Sequence, residues 1–487
     1  MRQETRSPRS RAAATGYAWR QDRRFVRRRL TMLVLVLGLG AMTVGGVLHA
    51  TPRLNIFHSA RDSNGRLAAG IGGHGSHPIG PRRLKVTTHP EGASLTIRGA
   101  NGSTRTWTAN TPFSGSVPGG TVTLTLSLSG YNPLTQQISL ERNRSIDLWL
   151  DPAGLLHHEL MAFSTCPAPK QVAFTPDDTQ IWVTCLGGDG VWVYDAATRR
   201  RLHDIKLGQH GAVEVIFTKD GSTAYASQME TASVFEIDAH TYQTRRQMFT
   251  KGTWSKVMAL SPDEKTLFVS NWVSDDVSEI DLPTGQVRRV IPTVDTPRGL
   301  YVTADGRRLF VAGFGHGELE RINLSDLSST VLIKTGGAMR HLVGDAGGRF
   351  LYADDMAGDA VYAVNLATEE VRKLAATDHT PNTIDLTPDG KMLYVSNRGA
   401  NNPVSYYRPG PEWGSVLAID TATGKVLDAI VGGNQTTGLD VSPDGKTLAF
   451  SDFLDNRISL FAVPSFAVLT AGGGGRAMGH VADLAKR

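Results

Sequence analysis

From Lys256 to Gly285 the chain reads KVMALSPDEKTLFVSNWVSDDVSEIDLPTG, and the segments on either side repeat its pattern. Val257 to Leu260 is an apolar run, followed by Ser261-Pro262-Asp263-Glu264, where proline fixes φ and the Ser and Asp side chains bond to nearby backbone. Thr266 to Ser270 alternates as a second strand, Asn271 to Asp275 turns the chain, and Asp276 to Asp281 makes a third. Pro283-Thr284-Gly285 then turns into a fourth, Gln286 to Ile291. Four antiparallel strands in about 42 residues make one blade of a β-propeller.

The third residue of each first turn serves as a ruler: Asp177, Asp220, Asp263, Asp305, Gly347, Asp389 and Asp444, at intervals of 43, 43, 42, 42, 42 and 55. Five places ahead of it stand Val172, Val215, Met258, Leu300, Leu342, Ile384 and Leu439. Three ahead stand Phe174, Phe217, Leu260, Val302, Gly344, Leu386 and Val441, a two-residue apolar period kept in step except at the glycine. The long interval arises because Asn271 to Asp281 spans 10 positions and the equivalent Asn397 to Asp420 spans 23, which puts the excess in one loop, Arg398 to Gly414. A blade cannot bury its apolar face alone, whereas a ring of seven leaves no free end. A seven-bladed β-propeller is therefore expected over residues 155–470.

The phrases SPDEKTLFVSNWVSDDVSEIDLPTG, TPDGKMLYVSNRG with GSVLAIDTATGKV, and SPDGKTLAFSDFLDNRISLF resemble the YVTN-type repeat of the YncE-like seven-bladed propeller family. Blade five, with GDAGGRFLYADDM, departs most. The resemblance implies a fold and an extracytoplasmic location, but no single activity.

The net charge of +5 is a property of the N-terminus. Residues 1–29 hold ten arginines against Glu4 and Asp22, so everything after them carries a net of −3. That balance disfavours nucleic acid as a partner of the remainder. Directly after this basic tail, Leu30 to Leu48 is uncharged. As a helix it would be about 28 Å long, close to the hydrocarbon thickness of a bilayer. Residues 30–50 thus read as one transmembrane helix, and the arginines place the N-terminus in the cytoplasm with the rest in the periplasm or outside the cell. The alternative is a cleaved signal peptide, although Leu48-His49-Ala50 lacks the small residue two places before a cleavage point.

Residues 51–83, rich in Gly, His, Ser and Pro, read as a flexible linker. From 84 to 152 the pattern changes to short alternating strands, LKVTT, ASLTIRG, GTVTLTLSLSG, TQQISLE and RSIDLWL. There Pro90-Glu91-Gly92-Ala93, Thr111-Pro112, Val117-Pro118-Gly119 and Gly130-Tyr131 resemble the PEGA domain family, which implies a small β-sandwich-like envelope module. The whole is an all-β chain behind one membrane helix, and residues 471–487 read as a loose C-terminal tail.

Two strands compete to close the ring, His158 to Phe163 from the N-terminal side and Phe466 to Thr470 from the C-terminal side. Cys166 and Cys185, the only cysteines, fall at the start of blade one's first strand and the end of its second, which lie side by side. An exported pair so placed can form a disulfide.

Seven places before the ruler, at the entry of each innermost strand, stand Lys170, Val213, Lys256, Arg298, Arg340, Asn382 and Thr437. Ten before it come His210 and His379 among others, and eight after it Asn271, Asp355, Asn397 and Asp452. Strand entry and second-strand exit share one end of a blade, so these residues crowd one face. They are the expected channel-mouth site, with Trp254 and Trp272 as stacking surfaces and Tyr406, Tyr407 and Trp413 added by the long loop. Cations there would steer an anionic ligand, and Asn and Asp would hold hydroxyls or a Ca²⁺ ion. The alternative is that Asn and Asp merely occupy inter-strand turns and the basic residues cover loop ends.

No C-x-x-C-H, Walker loop, H-E-x-x-H or G-x-S-x-G occurs. No cofactor is expected, and catalytic residues are not identifiable. The expectation is a membrane-anchored binding or scaffolding module of the cell envelope, for a polymer, an anionic small ligand or a protein partner. A second expectation, from resemblance to lactonase-like propellers, is a lactonase- or esterase-like hydrolase with a channel-centred, metal-assisted site.

Overall fold

The computed structural model describes residues 80–99, 106–471 and 479–485. The basic tail, the apolar run 30–50 and nearly all of the linker lie outside them. Among the described residues no helix is long and apolar enough to cross a membrane.

The repeat folds as read. Pro169–Phe174, Gln180–Cys185, Gly190–Asp195 and Arg201–Lys206 form the first of seven four-stranded antiparallel sheets, and the seventh begins with Thr436–Val441. Each first strand packs on the first strand of the next sheet, and that of sheet seven on that of sheet one, so the ring is closed around a central channel. The residues five places before the ruler, Val172 through Leu439, are all buried where blades meet.

The ruler aspartates are turn locks. Asp263 Oδ1 accepts from Ser261 Oγ at 2.6 Å, and Asp177, Asp305, Asp389 and Asp444 do the same with Thr175, Thr303, Thr387 and Ser442. Blade five has Gly347 at that place, and Asp345 two residues earlier takes over by accepting from the backbone N–H groups of Arg349 and Phe350. That substitution explains why its turn departs from the pattern without losing its shape.

Closure comes from the N-terminal side. His158–Ser164 pairs antiparallel with Arg457–Ala462 as the fourth strand of sheet seven, whereas Phe466–Ala471 is a short helix. The lead-in is pinned by the fully buried Asp428, whose Oδ2 accepts from the N–H groups of Leu156 and His157 and lies 2.8 Å from His157 Nδ1. Cys166 and Cys185 form a disulfide across the entry to blade one.

Ahead of the ring, two sheets pack face to face around Leu84, Val86, Leu95, Ile97, Val122, Leu124 and Leu140. The expected strands are present, and Thr106–Asn110 and Phe113–Val117 join them. The C-terminal tail is not loose throughout. Residues 479–485 dock on the blade-six insert, with His480 and Leu484 buried and the Trp413 N–H donating to Leu484 O at 2.8 Å.

Candidate functional site

The repeat itself sets the positions at the channel. One residue before each second-strand exit stands a hydroxyl in most blades: Thr184, Ser227, Ser270, Ser396 and Ser451. Four of these donate to a carbonyl on the first strand of the next blade, namely those of Val213, Lys256, Arg298 and Thr437, at 3.1, 2.6, 2.8 and 2.8 Å. Those carbonyls belong to the strand-entry residues. The serine of the LFVSN and LYVSN phrases is thus a clamp that fixes where the neighbouring cation begins.

Two further features aim the side chains. Two residues upstream, Ala168, Trp254, Thr296, Thr380 and Gln435 take left-handed φ between 50° and 62°, which is uncommon outside glycine. Just past that kink the strand bulges, with register shifts between Ser255 and Met258, Pro297 and Leu300, and Met339 and Leu342. Basic side chains leave the sheet toward the axis as a result.

Lys170, Lys256, Arg298 and Arg340 meet there, joined by Arg398 from the first residue of the insert. Burial pushes the Lys170 ammonium well below the usual lysine range, and Arg340, Arg298, Arg398 and Lys256 each push further in the same direction. Arg298, 6% exposed, is held down to about 10, chiefly by burial. Arg340 is also depressed, by burial and then by Arg298. Among the described residues the charged groups of Lys170, Arg298 and Arg340 have no hydrogen-bond or ion-pair partner. The acids that act on the arginines are Glu214 and Asp354: Glu214 Oε2 accepts from the Met258 N–H at 2.6 Å and Asp354 Oδ1 from the His341 N–H at 2.5 Å, while Asp354 Oδ2 has no hydrogen-bond partner. Burial raises Glu214 to about 8, which removes most of its countercharge at neutral pH, and Asp354 to about 6, which leaves it mostly ionised.

Aromatic rings wall the cluster. Lys256 Nζ sits 3.0 Å from the Trp272 ring centroid and 5.5 Å from that of Trp254, and Arg298 lies 5.1 Å from Trp272. On the other side Lys170 Nζ is 5.4 Å from the Phe453 centroid, with Tyr407 beside that ring and Arg398 over Tyr406. Arg398 Nε and Asn382 Nδ2 are likewise buried without a hydrogen-bond partner, as are Asp355 Oδ2 and Asn397 Oδ1 at the second-strand exits.

The remaining expected residues are placed differently. Asn271 donates to Asp276 and Ser278 and accepts from Ser255, all within its own blade. Asp355 accepts from the Ala338 and Gly358 N–H groups, Asn397 donates to Val395 O and Ser415, and Asp452 accepts from Thr436 and pairs with Arg457 at 2.6 Å. Asn271, Asp355 and Asp452 thus hold strand entry to strand exit, and Asn397 ties the second strand to the third. His210 is exposed in a groove with Lys206 and Gln247, and His379 is tied to Glu412 at 2.7 Å on the insert. Among the described residues no group of three or more His, Cys, Asp or Glu side chains is placed to hold a metal.

Arg398, Glu214 and Asp354 were not singled out by the repeat. Asp354 had a signal, since it occupies the place that serine or threonine fills in five other blades. Arg398 sits where the period breaks, and nothing in the insert marks its direction.

Seven sheets around a channel lined with cations define a β-propeller built as a binding module. A family model described as YNCE-like beta-propeller matches residues 221–426, and one described as PEGA domain matches 82–152. Antigen Lp49 of Leptospira interrogans serogroup Icterohaemorrhagiae serovar copenhageni (strain Fiocruz L1-130) is 33% identical over 329 residues, covering 65% of this chain and 72% of that protein. The chain belongs to the YNCE-like β-propeller family. A Kuenenia stuttgartiensis hydrazine synthase chain superimposes with a TM-score of 0.53 at 20% identity, over 61% of this chain and 96% of that one, which is a likeness of fold alone.

Proposed function

We propose that this propeller is a receptor or scaffold module that holds an anionic group at its channel mouth, displayed outside the cytoplasmic membrane by the apolar segment 30–50. The observation that supports the binding reading is the convergence of Lys170, Lys256, Arg298, Arg340 and Arg398 against only Glu214 and Asp354. Such a cluster costs the fold electrostatic energy, and an arriving anion relieves it. The aromatic walls suit a ligand whose anionic group is carried on a ring, such as an acidic sugar of an envelope polymer. Isothermal titration of the detergent-solubilised full chain with oxalate and with an acidic oligosaccharide tests this, beside a Lys256→Gln, Arg298→Gln variant. Binding is expected for wild type and absent from the variant, and equal binding by both removes the channel from the reading. Labelling of intact cells with a membrane-impermeant reagent tests the orientation: modification of the propeller and none of residues 1–29 is expected.

A second reading, ester or lactone hydrolysis, rests on the two carboxyls displaced toward neutral pH beside arginines. A lactone and ester panel, with Glu214→Gln and Asp354→Asn as controls, decides it.

A further inference from the structure

We infer that Lys170 is a nucleophilic amine that captures an anionic aldehyde or α-keto acid as an imine. This rests on the anion-binding reading and adds a covalent step to it. Lys170 stands on the first strand of blade one, two residues after the left-handed Ala168, and the neighbouring entry is locked by the Cys166–Cys185 disulfide. Its position is therefore rigid. Its Nζ faces the Phe453 ring at 5.4 Å and has no hydrogen-bond or ion-pair partner among the described residues, yet the side chain is only half-buried, so a small molecule in the channel can reach it. The groups acting on it are Arg340, Arg298, Arg398 and Lys256, all cations.

A lysine surrounded in this way does two things that an exposed lysine does not. Neighbouring positive charge and burial favour the free amine, the form with a lone pair. The same neighbours attract a carboxylate or phosphate and bring an attached carbonyl alongside. The amine nitrogen adds to the carbonyl carbon and the C–O π pair becomes the hydroxyl of a carbinolamine, which takes up the proton lost from nitrogen. A proton from solvent lets the hydroxyl leave as water while the nitrogen lone pair forms the C=N bond, and the resulting protonated imine is a cation paired with the bound carboxylate. No oxidant or reductant is consumed.

The full chain in detergent is treated with glyoxylate, reduced with borohydride, and mapped by peptide mass spectrometry, with oxalate as an unreactive competitor followed by titration. The expected result is carboxymethylation of Lys170 at pH 7 well ahead of the exposed Lys219, Lys251 and Lys446, because each unit by which a pKa falls frees about tenfold more amine. Labelling should reach its pH plateau below that of those lysines, and fall in Arg340→Met as Lys170 regains its proton. Lys170→Arg should lose the adduct while Lys219, Lys251 and Lys446 are labelled as in wild type. If oxalate binds but Lys170 is labelled no faster than the exposed lysines, the imine proposal is overturned and anion binding stands. If neither oxalate nor glyoxylate binds, both are overturned.

Discussion

Replacing Arg298 by methionine separates a ligand site from an internal ion network. The guanidinium is charged at neutral pH but held down to about 10, well below the ordinary guanidinium range, so keeping it charged inside the ring costs about 3 kcal/mol relative to the unfolded chain. Methionine has nearly the same reach and no charge. What is lost is the stacking on Trp272 at 5.1 Å, worth about 1 kcal/mol. Glu214 and Asp354 each lose a favourable neighbour, but burial already keeps Glu214 protonated at pH 7 and the ionised Asp354 retains Arg340, the stronger of its two cationic neighbours. The balance is a gain of about 2 kcal/mol, which for a ring of this size raises Tm by about 3 °C. Thermal unfolding by circular dichroism measures it, and oxalate titration on the same preparation should show binding weakened or gone. A variant that is both more stable and unable to bind is the signature of a site strained for function. If instead Arg298→Met lowers Tm by a few degrees, the guanidinium is holding Glu214 and Asp354 in place, and the reasoning about an unrelieved cation cluster fails.

Cys166→Ala with Cys185→Ala opens a loop of sequence separation 19, which should cost about 3 kcal/mol and lower Tm by about 5 °C under non-reducing conditions. Equal melting of variant and wild type would refute a closed disulfide that stabilises the ring. Burial lifts Asp385 to about 6, and burial with the adjacent Asp385 carboxyl lifts Asp440 well above the ordinary range, so the folded state keeps protons that the unfolded chain releases near 4. Stability from this pair is fully present below that pH and is lost as pH rises through 6 and beyond, and Asp385→Asn should flatten the decline of Tm between pH 5 and 8; an unchanged slope would place the pH dependence elsewhere. His480 Nε2 lies 2.8 Å from Asp378 Oδ2, which also accepts from Ser415, so His480→Ala should loosen the docked segment 479–485 and speed chymotryptic cleavage after the exposed Tyr407 about fivefold, as expected for losing about 1 kcal/mol of local closure. An unaltered cleavage rate would mean that this segment does not restrain the insert.

What could be read from the sequence was whatever the repeat states seven times. The apolar residue five places before the ruler faces the next blade in every copy, because each copy must bury the same surface, and so the ring, its count and its insert were legible. The ends of the strands were less so. Asn271, Asp355, Asn397 and Asp452 have side chains equally suited to gripping a ligand or a neighbouring backbone, and only their partners in space distinguish the two. Arg398 was obscured because the 398–414 loop has no period that would tell inward from outward. The docked strap 479–485 follows a glycine run, a pattern that predicts a linker and carries no information about what lies beyond it. His158 to Phe163 and Phe466 to Thr470 both read as strands of the right length, and what decided between them was the Asp428 anchor on Leu156 and His157, 271 residues and more away in sequence.

The division of labour in each blade explains how a cationic channel is compatible with a stable ring. Hydroxyls at the second-strand exits bind carbonyls of the next blade, and side chains such as Asp440, Gln171 and Asp385 accept from N–H groups of a neighbouring first strand at 2.6 to 2.8 Å. Blade-to-blade cohesion therefore runs mainly through main-chain groups and apolar faces, to which the strand-entry side chains add ring contacts such as Arg298 on Trp272 and Lys170 on Phe453. That leaves the entry position open to valine, threonine, asparagine, lysine or arginine with the backbone unchanged, as Val213, Thr437, Asn382, Lys256 and Arg298 show within one molecule. A site assembled from such positions is asymmetric by construction: cations come from blades one, three, four and five and from the insert of blade six, while blades two and seven contribute Val213 and Thr437. Ligand specificity in this architecture resides in which entries are charged, and it changes without altering the ring.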